Sequence, residues 1–214
     1  MGPMENGTEI MKLTTMTQVS VDGVMQGNGG ATEEDRRSGF ERGGWAGPRV
    51  FGDDTAAFIT QTYQRAGAFL FGRQTYEAFA GTWGANAGMR AHPIGVALAQ
   101  TPKYVASNTL TDPKWPGTTV LSGDLRAAIG ELKARPEGEL QVHGSGALIR
   151  WLLEYGLVDE MTLITIPVVV GQGTRLFPGN GPDMALALVD SRADANGLTT
   201  QVYRPAGRPQ YATA

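Results

Sequence analysis

The order of apolar runs and breakers predicts an α/β protein. It would have three αβα layers around a mixed, mostly parallel central sheet with antiparallel C-terminal strands. Three observations carry this. Short apolar or β-branched runs alternate with helical stripes as far as about residue 160. After that, strand-like runs follow one another directly, which favours antiparallel pairing. Met161 to Ile166 and Val168 to Val170 are almost wholly apolar or β-branched, as in a central strand covered on both faces.

Lys12 to Ser20, rich in Thr and Val, reads as the first strand. Asp22-Gly23 turns the chain into a glycine-rich segment that runs to about Asp53. A loop of that length inside a compact domain is either a functional lid or a floppy insertion. Trp45 and Phe51 favour a loop that packs on something. Asp54 to Ala66 has Phe58, Ile59, Tyr63 and Ala66 near one helical face, with Asp53 or Asp54 as N-cap. Ala68 to Phe71 is a short buried strand. Arg73 to Ala80 opens a second helix, and a second glycine-rich loop is expected from Gly81 to about Pro93.

Lys103 to Ala106 and Thr118 to Leu121 read as strands. Leu125, Ile129 and Leu132 mark a helix. Glu139 to Val142 is a strand that enters His143-Gly144-Ser145-Gly146, and Leu148, Trp151, Leu152 and Tyr155 form one stripe of the helix beyond. Ala185 to Val189 and Leu198 to Tyr203 form a closing antiparallel pair. No linker divides the chain, so residues 12–204 are expected to be one domain, with a disordered leader (1–11) and a flexible tail (205–214).

Composition narrows the function. The chain of 214 residues is 41% hydrophobic and 18% charged, with net charge −3, which suits one soluble core. No Lys/Arg cluster suggests nucleic acid, and no run suits a membrane span. With no cysteine, disulfides, thiolate catalysis and Cys-bound zinc are ruled out. No metal is expected, and the setting read from these features is cytoplasmic.

Three strand ends finish in small or polar residues leading into a helix or turn: Gly72-Arg73-Gln74-Thr75, Ser107-Asn108-Thr109 and Gly144-Ser145-Gly146. Ligands of open α/β sheets bind beyond the carboxyl ends of strands. Glycine lets a phosphate approach the backbone there, and the free N–H groups of a helix's first turn attract its charge. Arg73 stands in a first turn, where the dipole disfavours a cation. An anion such as a 2′-phosphate would explain it. Neither a Rossmann G-x-G-x-x-G nor a P-loop is present.

Phe69-Leu70-Phe71-Gly72-Arg73-Gln74-Thr75-Tyr76-Glu77 resembles the strand–GR-x-T–helix motif of dihydrofolate reductases. Ser20-Val21-Asp22-Gly23, Leu152 to Glu160, and Pro167 to Gly171 through Leu176-Phe177 resemble the family of the C-terminal reductase domain of the bacterial riboflavin-biosynthesis deaminase–reductase. The resemblance spans about residues 12 to 204. It implies a dihydrofolate-reductase-like fold, a small-molecule substrate, a homodimer and NADPH as cofactor. Arg73 and Ser107, with Asn108 beside them, would hold the 2′-phosphate. Thr75 and the turn Gly144, Ser145, Gly146 and Ala147, next to Gly72, would hold the pyrophosphate. The backbone from Val19 to Gly23 would border the nicotinamide.

His143 departs from that pattern, standing where those enzymes have the first Gly of a triple-Gly turn. The nearest counterpart of their pterin-binding carboxylate is Asp54, about two residues out of register. Candidate catalytic residues are Asp22 and Asp54, and Trp45 is the candidate substrate contact. The apolar run Met161 to Val170 adds to the case for a dimer. A nucleotide- or drug-binding protein without turnover would need the same Gly-Ser-Gly turn and Arg73. Only a reductase would oxidise NADPH.

Overall fold

A computed structural model describes residues 10–47, 51–136 and 138–212. The expected leader up to residue 9, and the last two residues of the expected tail, lie outside the described residues. The chain runs β1 (Lys12–Ser20), α1 (Glu33–Arg37), α2 (Asp53–Gln64), β2 (Ala66–Gly72) and α3 (Arg73–Phe79). A π-helical turn (Ala80–Gly84) leads to α4 (Ala87–Ala91), α5 (Pro93–Gln100), β3 (Lys103–Ala106) and β4 (Thr118–Leu121). The remainder is α6 (Leu125–Lys133), β5 (Glu139–His143), α7 (Gly146–Glu154), β6 (Glu160–Ile166), β7 (Leu186–Ala193) and β8 (Thr199–Pro205).

All eight strands join one sheet in the order β4-β3-β2-β5-β1-β6-β8-β7. Every pairing from β4 through β6 is parallel, and β8 runs antiparallel to both β6 and β7. Among the described strands β8 alone is reversed, because it returns from β7 through a turn at Gly197 in the left-handed region (φ 82).

Alternation of side chains along the strands divides the core into two layers. Leu13 and Val19 of β1, with Leu140 and Val142 of β5, pack against Ile129 of α6 and Ile149 and Leu152 of α7. On the other face Phe69, Phe71, Val105, Ile164 and Ile166 pack against Ile59 and Tyr63 of α2, Tyr76 of α3 and Leu98 of α5. This is the three-layer αβα arrangement read from the sequence. Lys103 is wholly buried at the start of β3. Its ammonium donates to the Leu98 and Thr101 carbonyls at the end of α5 (2.7 and 2.9 Å), which ties that helix to the sheet.

Three expectations need correction. The segment expected as a loop from Gly81 to about Pro93 holds the π-helical turn and α4, and Pro93 begins α5. Asn86 caps α4 through Met89 N (3.1 Å), and His92 Nδ1 accepts from Ile94 N (3.3 Å) at the start of α5, where Pro93 has no N–H that needs an acceptor. Val168 to Val170 is no strand. Pro167 has no N–H, Val168 N bonds back to Ile166 O (2.7 Å), and the segment becomes a strap beyond the sheet edge. Its carbonyl at Val168 accepts from Val21 N (2.9 Å). The run Met161 to Ile166 is not left uncovered as expected, because β6 lies between β1 and β8 and buries Met161, Ile164 and Ile166 in the core layers.

No helix among the described residues is long and apolar enough to cross a membrane. Leu152 is fully buried where α7 meets the sheet. Leu152→Ala is expected to destabilise the fold by about 2–5 kcal/mol, from lost burial and a residual cavity. Urea denaturation measures this directly, and a loss below about 1 kcal/mol would show that α7 does not close this core.

Candidate functional site

Parallel β3, β2, β5 and β1 lie side by side, so their carboxyl ends form one edge. There the turns after Ala106, Gly72, His143 and Ser20 meet. The sequence places these turns far apart, and the sheet order makes them neighbours.

At the end of β5 the chain takes two left-handed residues in succession, Gly144 (φ 60) and Ser145 (φ 54, ψ 49). Ser145 is the only non-glycine among the described residues with positive φ. Such a conformation costs about 1–2 kcal/mol for a residue bearing Cβ, so its surroundings must hold it. Ser145 Oγ accepts from Gly72 N (3.0 Å), and Ser145 N donates to Thr75 Oγ1 (3.1 Å). The two bonds stitch the turn after β5 to the turn after β2. Because the hydroxyl reaches across to Gly72, no side-chain cap closes the start of α7, and none closes α3. First-turn N–H groups of both helices therefore face the same edge. A Cβ at Gly146 would push aside the sulfur of Met25, which packs against the backbone there. Ala147, next along, is exposed.

The turn after β3 folds around Ser107, whose Oγ accepts from Thr109 N (3.2 Å) and Leu110 N (3.1 Å). Asn108 Oδ1 accepts from Gly123 N (3.4 Å). Arg73 crosses from α3 to this turn. Its Nη1 donates to Thr109 Oγ1 (2.7 Å), while Nε pairs with Glu77 (2.8 Å) on the next turn of its own helix. The guanidinium is half exposed, so that ion pair contributes little to stability. Thr109 was not singled out in the sequence. Its place two residues after Ser107, in a turn built by a Ser hydroxyl, was the available signal.

Where β1 ends, Ser20 Oγ donates to Asp22 Oδ1 (2.6 Å) and accepts from Val24 N (2.9 Å). The Asp22 carboxylate also accepts from Val170 N (3.0 Å) and Gly171 N (2.9 Å), and Arg175 lies 3.5 Å from it. Arg175 Nε donates to the Asp22 carbonyl (2.7 Å). The Ser20 hydroxyl, then the Val170 and Gly171 amides, hold this carboxyl far below the usual carboxylate range. Asp22 is therefore a clamp between the exit of β1 and the strap at 168–175, with no proton to give near neutral pH. Val19 turns its side chain into the α6/α7 layer and leaves its backbone paired in the sheet with β6.

The long glycine-rich segment is knitted to that strap. Phe40 packs with Val24 and Val170, and Gln172 Nε2 donates to Gly39 O (2.8 Å). Trp45 is half buried and donates from Nε1 to Gln26 O (2.8 Å), so its indole pins the loop. Asp54 is exposed in the first turn of α2. The residue that holds the start of α2 is Asp194 in the β7–β8 turn, which accepts from Gly52 N (3.0 Å) and Thr55 Oγ1 (2.7 Å). Asp194 had no local signal, since it acts across 139 residues.

Of the predicted site residues, Gly72, Arg73, Thr75, Ser107, Asn108, Gly144, Ser145, Gly146 and Ala147 come together along the one edge, with Val19 and Asp22 at its β1 end. Asp54 stands on the start of α2, and Trp45 in the glycine-rich loop. Residues 11–200 match the family described as the RibD C-terminal domain. The chain belongs to that family. With that membership, the oxidoreductase class read from the sequence stands. A protein of Shewanella sp. PV-4 named for riboflavin biosynthesis superimposes with TM-score 0.66 at 21% identity, covering 92% of this chain and 99% of that one. A pyrimidine reductase-like protein of Corynebacterium diphtheriae gives 0.59 at 16% identity, over 95% of each chain. The diaminohydroxyphosphoribosylaminopyrimidine deaminase/5-amino-6-(5-phosphoribosylamino)uracil reductase of Thermotoga maritima gives 0.59 at 13% identity, over 92% of this chain and 57% of that one. At these identities the likeness is one of fold. The protein YyaP of Bacillus subtilis strain 168 is 30% identical over 83 residues, a stretch spanning less than half of each protein (39% of this chain, 44% of that one).

Replacing Asp22 by Asn tests the clamp. A carboxylate with a depressed folded-state pKa stabilises the fold above its unfolded value near 3.8 and loses that contribution as pH falls through the folded value. The variant is expected to be less stable than the wild type at neutral pH, with the gap closing in strong acid. Equal urea midpoints at neutral pH would remove the clamp.

Proposed function

We propose that this chain is an NADPH-dependent reductase that passes hydride to a small heterocyclic or carbonyl-type substrate, pteridine- or pyrimidine-like in class. The observation that carries the reading is the bridge from Arg73 to the Ser107–Thr109 turn, set beside two helix starts that no side chain caps. A guanidinium has five N–H donors, and the bonds to Glu77 and Thr109 use two. A 2′-phosphate at this corner would meet Arg73, with the Ser107 and Thr109 hydroxyls and Asn108 nearby. Glu77 would compete for the same cation.

The donors of the edge fit the rest of such a dinucleotide. Thr75 keeps a hydroxyl proton to donate after accepting from Ser145 N. Gly144 N donates to the Met16 carbonyl (3.3 Å) and Ser145 N to Thr75, so the backbone N–H groups this turn offers are those of Gly146 and Ala147 at the start of α7, where the helix dipole favours an anion. When bound, the cofactor supplies the hydride, and the protein supplies position and electrostatics. Asp22 would position the β1 exit that borders the nicotinamide. Asp54 and Trp45, on α2 and the lid, are the residues we assign to the substrate side. The proposed setting is cytoplasmic.

A homodimer belongs to the proposal, with β7 as its surface. Among the described residues β7 pairs only with β8, and Leu186, Leu188 and Val189 on it are exposed. An unpaired edge with apolar side chains is a ready template for another strand. Asp190 and Arg192 neutralise each other within the strand, so the edge carries no net charge to repel a second copy laid against it across a two-fold axis. Size-exclusion chromatography with light scattering is expected to give twice the 22.7 kDa chain mass. A clean monomer would refute the dimer.

Titration with NADPH and with NADH, by protein fluorescence and calorimetry, tests the cofactor. NADPH is expected to bind at least tenfold more tightly, and Arg73→Ala to abolish the difference, the loss of a charge-assisted contact worth about 1.5–3 kcal/mol. If neither nucleotide binds, the reductase reading fails. Binding without NADPH oxidation across pteridine, pyrimidine and carbonyl substrates would indicate a binding protein instead.

A further inference from the structure

His143, the last residue of β5, is almost wholly buried (3% exposed) directly before the Gly144–Ser145 turn. Its ring stacks on Tyr63 of α2 (4.0 Å between centroids, 10° between planes), and Phe69 of β2 lies 5.7 Å away. Nε2 is 2.9 Å from Gln141 Oε1, while Nδ1 is buried with no hydrogen-bond partner among the described residues. An orphaned polar atom in a core is unusual and calls for a partner.

The surrounding bonds determine which ring nitrogen carries the proton. Gln141 Nε2 donates both to the Thr62 carbonyl (2.6 Å) and to Glu139 Oε2 (2.7 Å). Both are acceptors, so the amide cannot be turned over without setting oxygen against oxygen. Glu139 Oε1 in turn accepts from Arg65 Nε (3.0 Å). Gln141 therefore offers its carbonyl to His143, and Nε2 must be the N–H donor. Nδ1 is left with a bare lone pair directed away from Gln141. Burial pushes the imidazole down to about 3, so the ring stays neutral.

We propose that Arg65, Glu139 and Gln141 act as a positioning chain that locks His143 as the Nε2–H tautomer, so that Nδ1 serves as the hydrogen-bond acceptor for an N–H donor of a heteroaromatic ring bound at the β5–β1 end of the edge. The inference rests on the reductase reading, which brings such rings there in two forms. One is a carboxamide-bearing nicotinamide, and the other is a pyrimidine-like substrate. Both present N–H groups, and a buried acceptor discriminates strongly against ligands that lack one.

The chain has two histidines, so ¹⁵N-histidine labelling gives a spectrum that one His92→Asn control assigns. In the free protein His143 is expected to show the neutral Nε2–H pattern with Nδ1 at the bare-nitrogen position. Adding NADP⁺ should move Nδ1 upfield if the carboxamide is the donor. The acetylpyridine analogue of NADP⁺, which carries a methyl ketone in place of the amide, should then leave it in place. If instead only 2,4-diaminopyrimidine added to the NADP⁺ complex moves it, the substrate is the donor. His143→Phe should weaken whichever ligand moves the signal by about tenfold, and the acetylpyridine analogue hardly at all. Gln141→Met should let the Nδ1–H tautomer appear.

An Nδ1–H tautomer in the free wild type, or an Nδ1 already bonded there and indifferent to every ligand, as a buried water would make it, overturns the proposal. So does an unmoved Nδ1 when backbone amides of Gly144 to Ala147 show that NADP⁺ has bound. If those amides do not shift and no heat is released, the cofactor reading itself fails.

Discussion

Ser145 occupies a backbone conformation that residues with a side chain avoid, and it stays there because Gly72 and Thr75 each take one of its polar groups. Everything proposed for the nucleotide depends on this arrangement. With the hydroxyl turned across the edge, the start of α7 is left open, and the turns after β2 and β5 are held at one spacing. A more ordinary serine N-cap would bond its own helix and close the place an anion would occupy. The strain is thus tied to a particular geometry, as strained residues at ligand sites commonly are.

The β1 side is built on a different principle. Asp22 gathers two backbone amides and a hydroxyl from segments nearly 150 residues apart in sequence, and a buried aromatic, Phe40, fastens the glycine-rich loop to the same strap. The exit of β1 and the glycine-rich loop therefore share one set of contacts. The arginine corner at β3 shares none of them. Half exposed and joined by one hydroxyl, it is the more adaptable end of the edge.

Much of this was legible in the sequence, and the reasons differ by element. The bounds of β1 and β3 could be read because apolar composition ends abruptly at a turn former. The residues at the three strand ends could be placed on one edge because small and polar residues there mark turns beyond the carboxyl ends of a parallel sheet. The segment 81–93 misled because Gly81, Gly84, Gly88 and Pro93 look like breakers. Gly95 is in fact a packing glycine, where a Cβ would collide with the Met89 carbonyl and keep α5 off α4. The bond from Ser145 to Thr75 crosses 70 residues, and no local pattern announces a partner at that distance. The polar row Glu139, Gln141 and His143 on one face of a core strand was visible as a sequence. Its meaning needed α2, which supplies the Thr62 carbonyl and the Tyr63 ring.

The place of β1 has a consequence for how the chain is made. Among the described strands it is the first to be synthesised, yet both of its neighbours, β5 and β6, come from residues 139–166. As the chain leaves the ribosome, β1 has no partner beside it until more than a hundred further residues have followed. During that interval its threonines and valines are an unpaired template, and closing so large a loop is slow. Early partners for it, whether β2 or a chaperone, must let go before the central sheet can be completed from the middle outward.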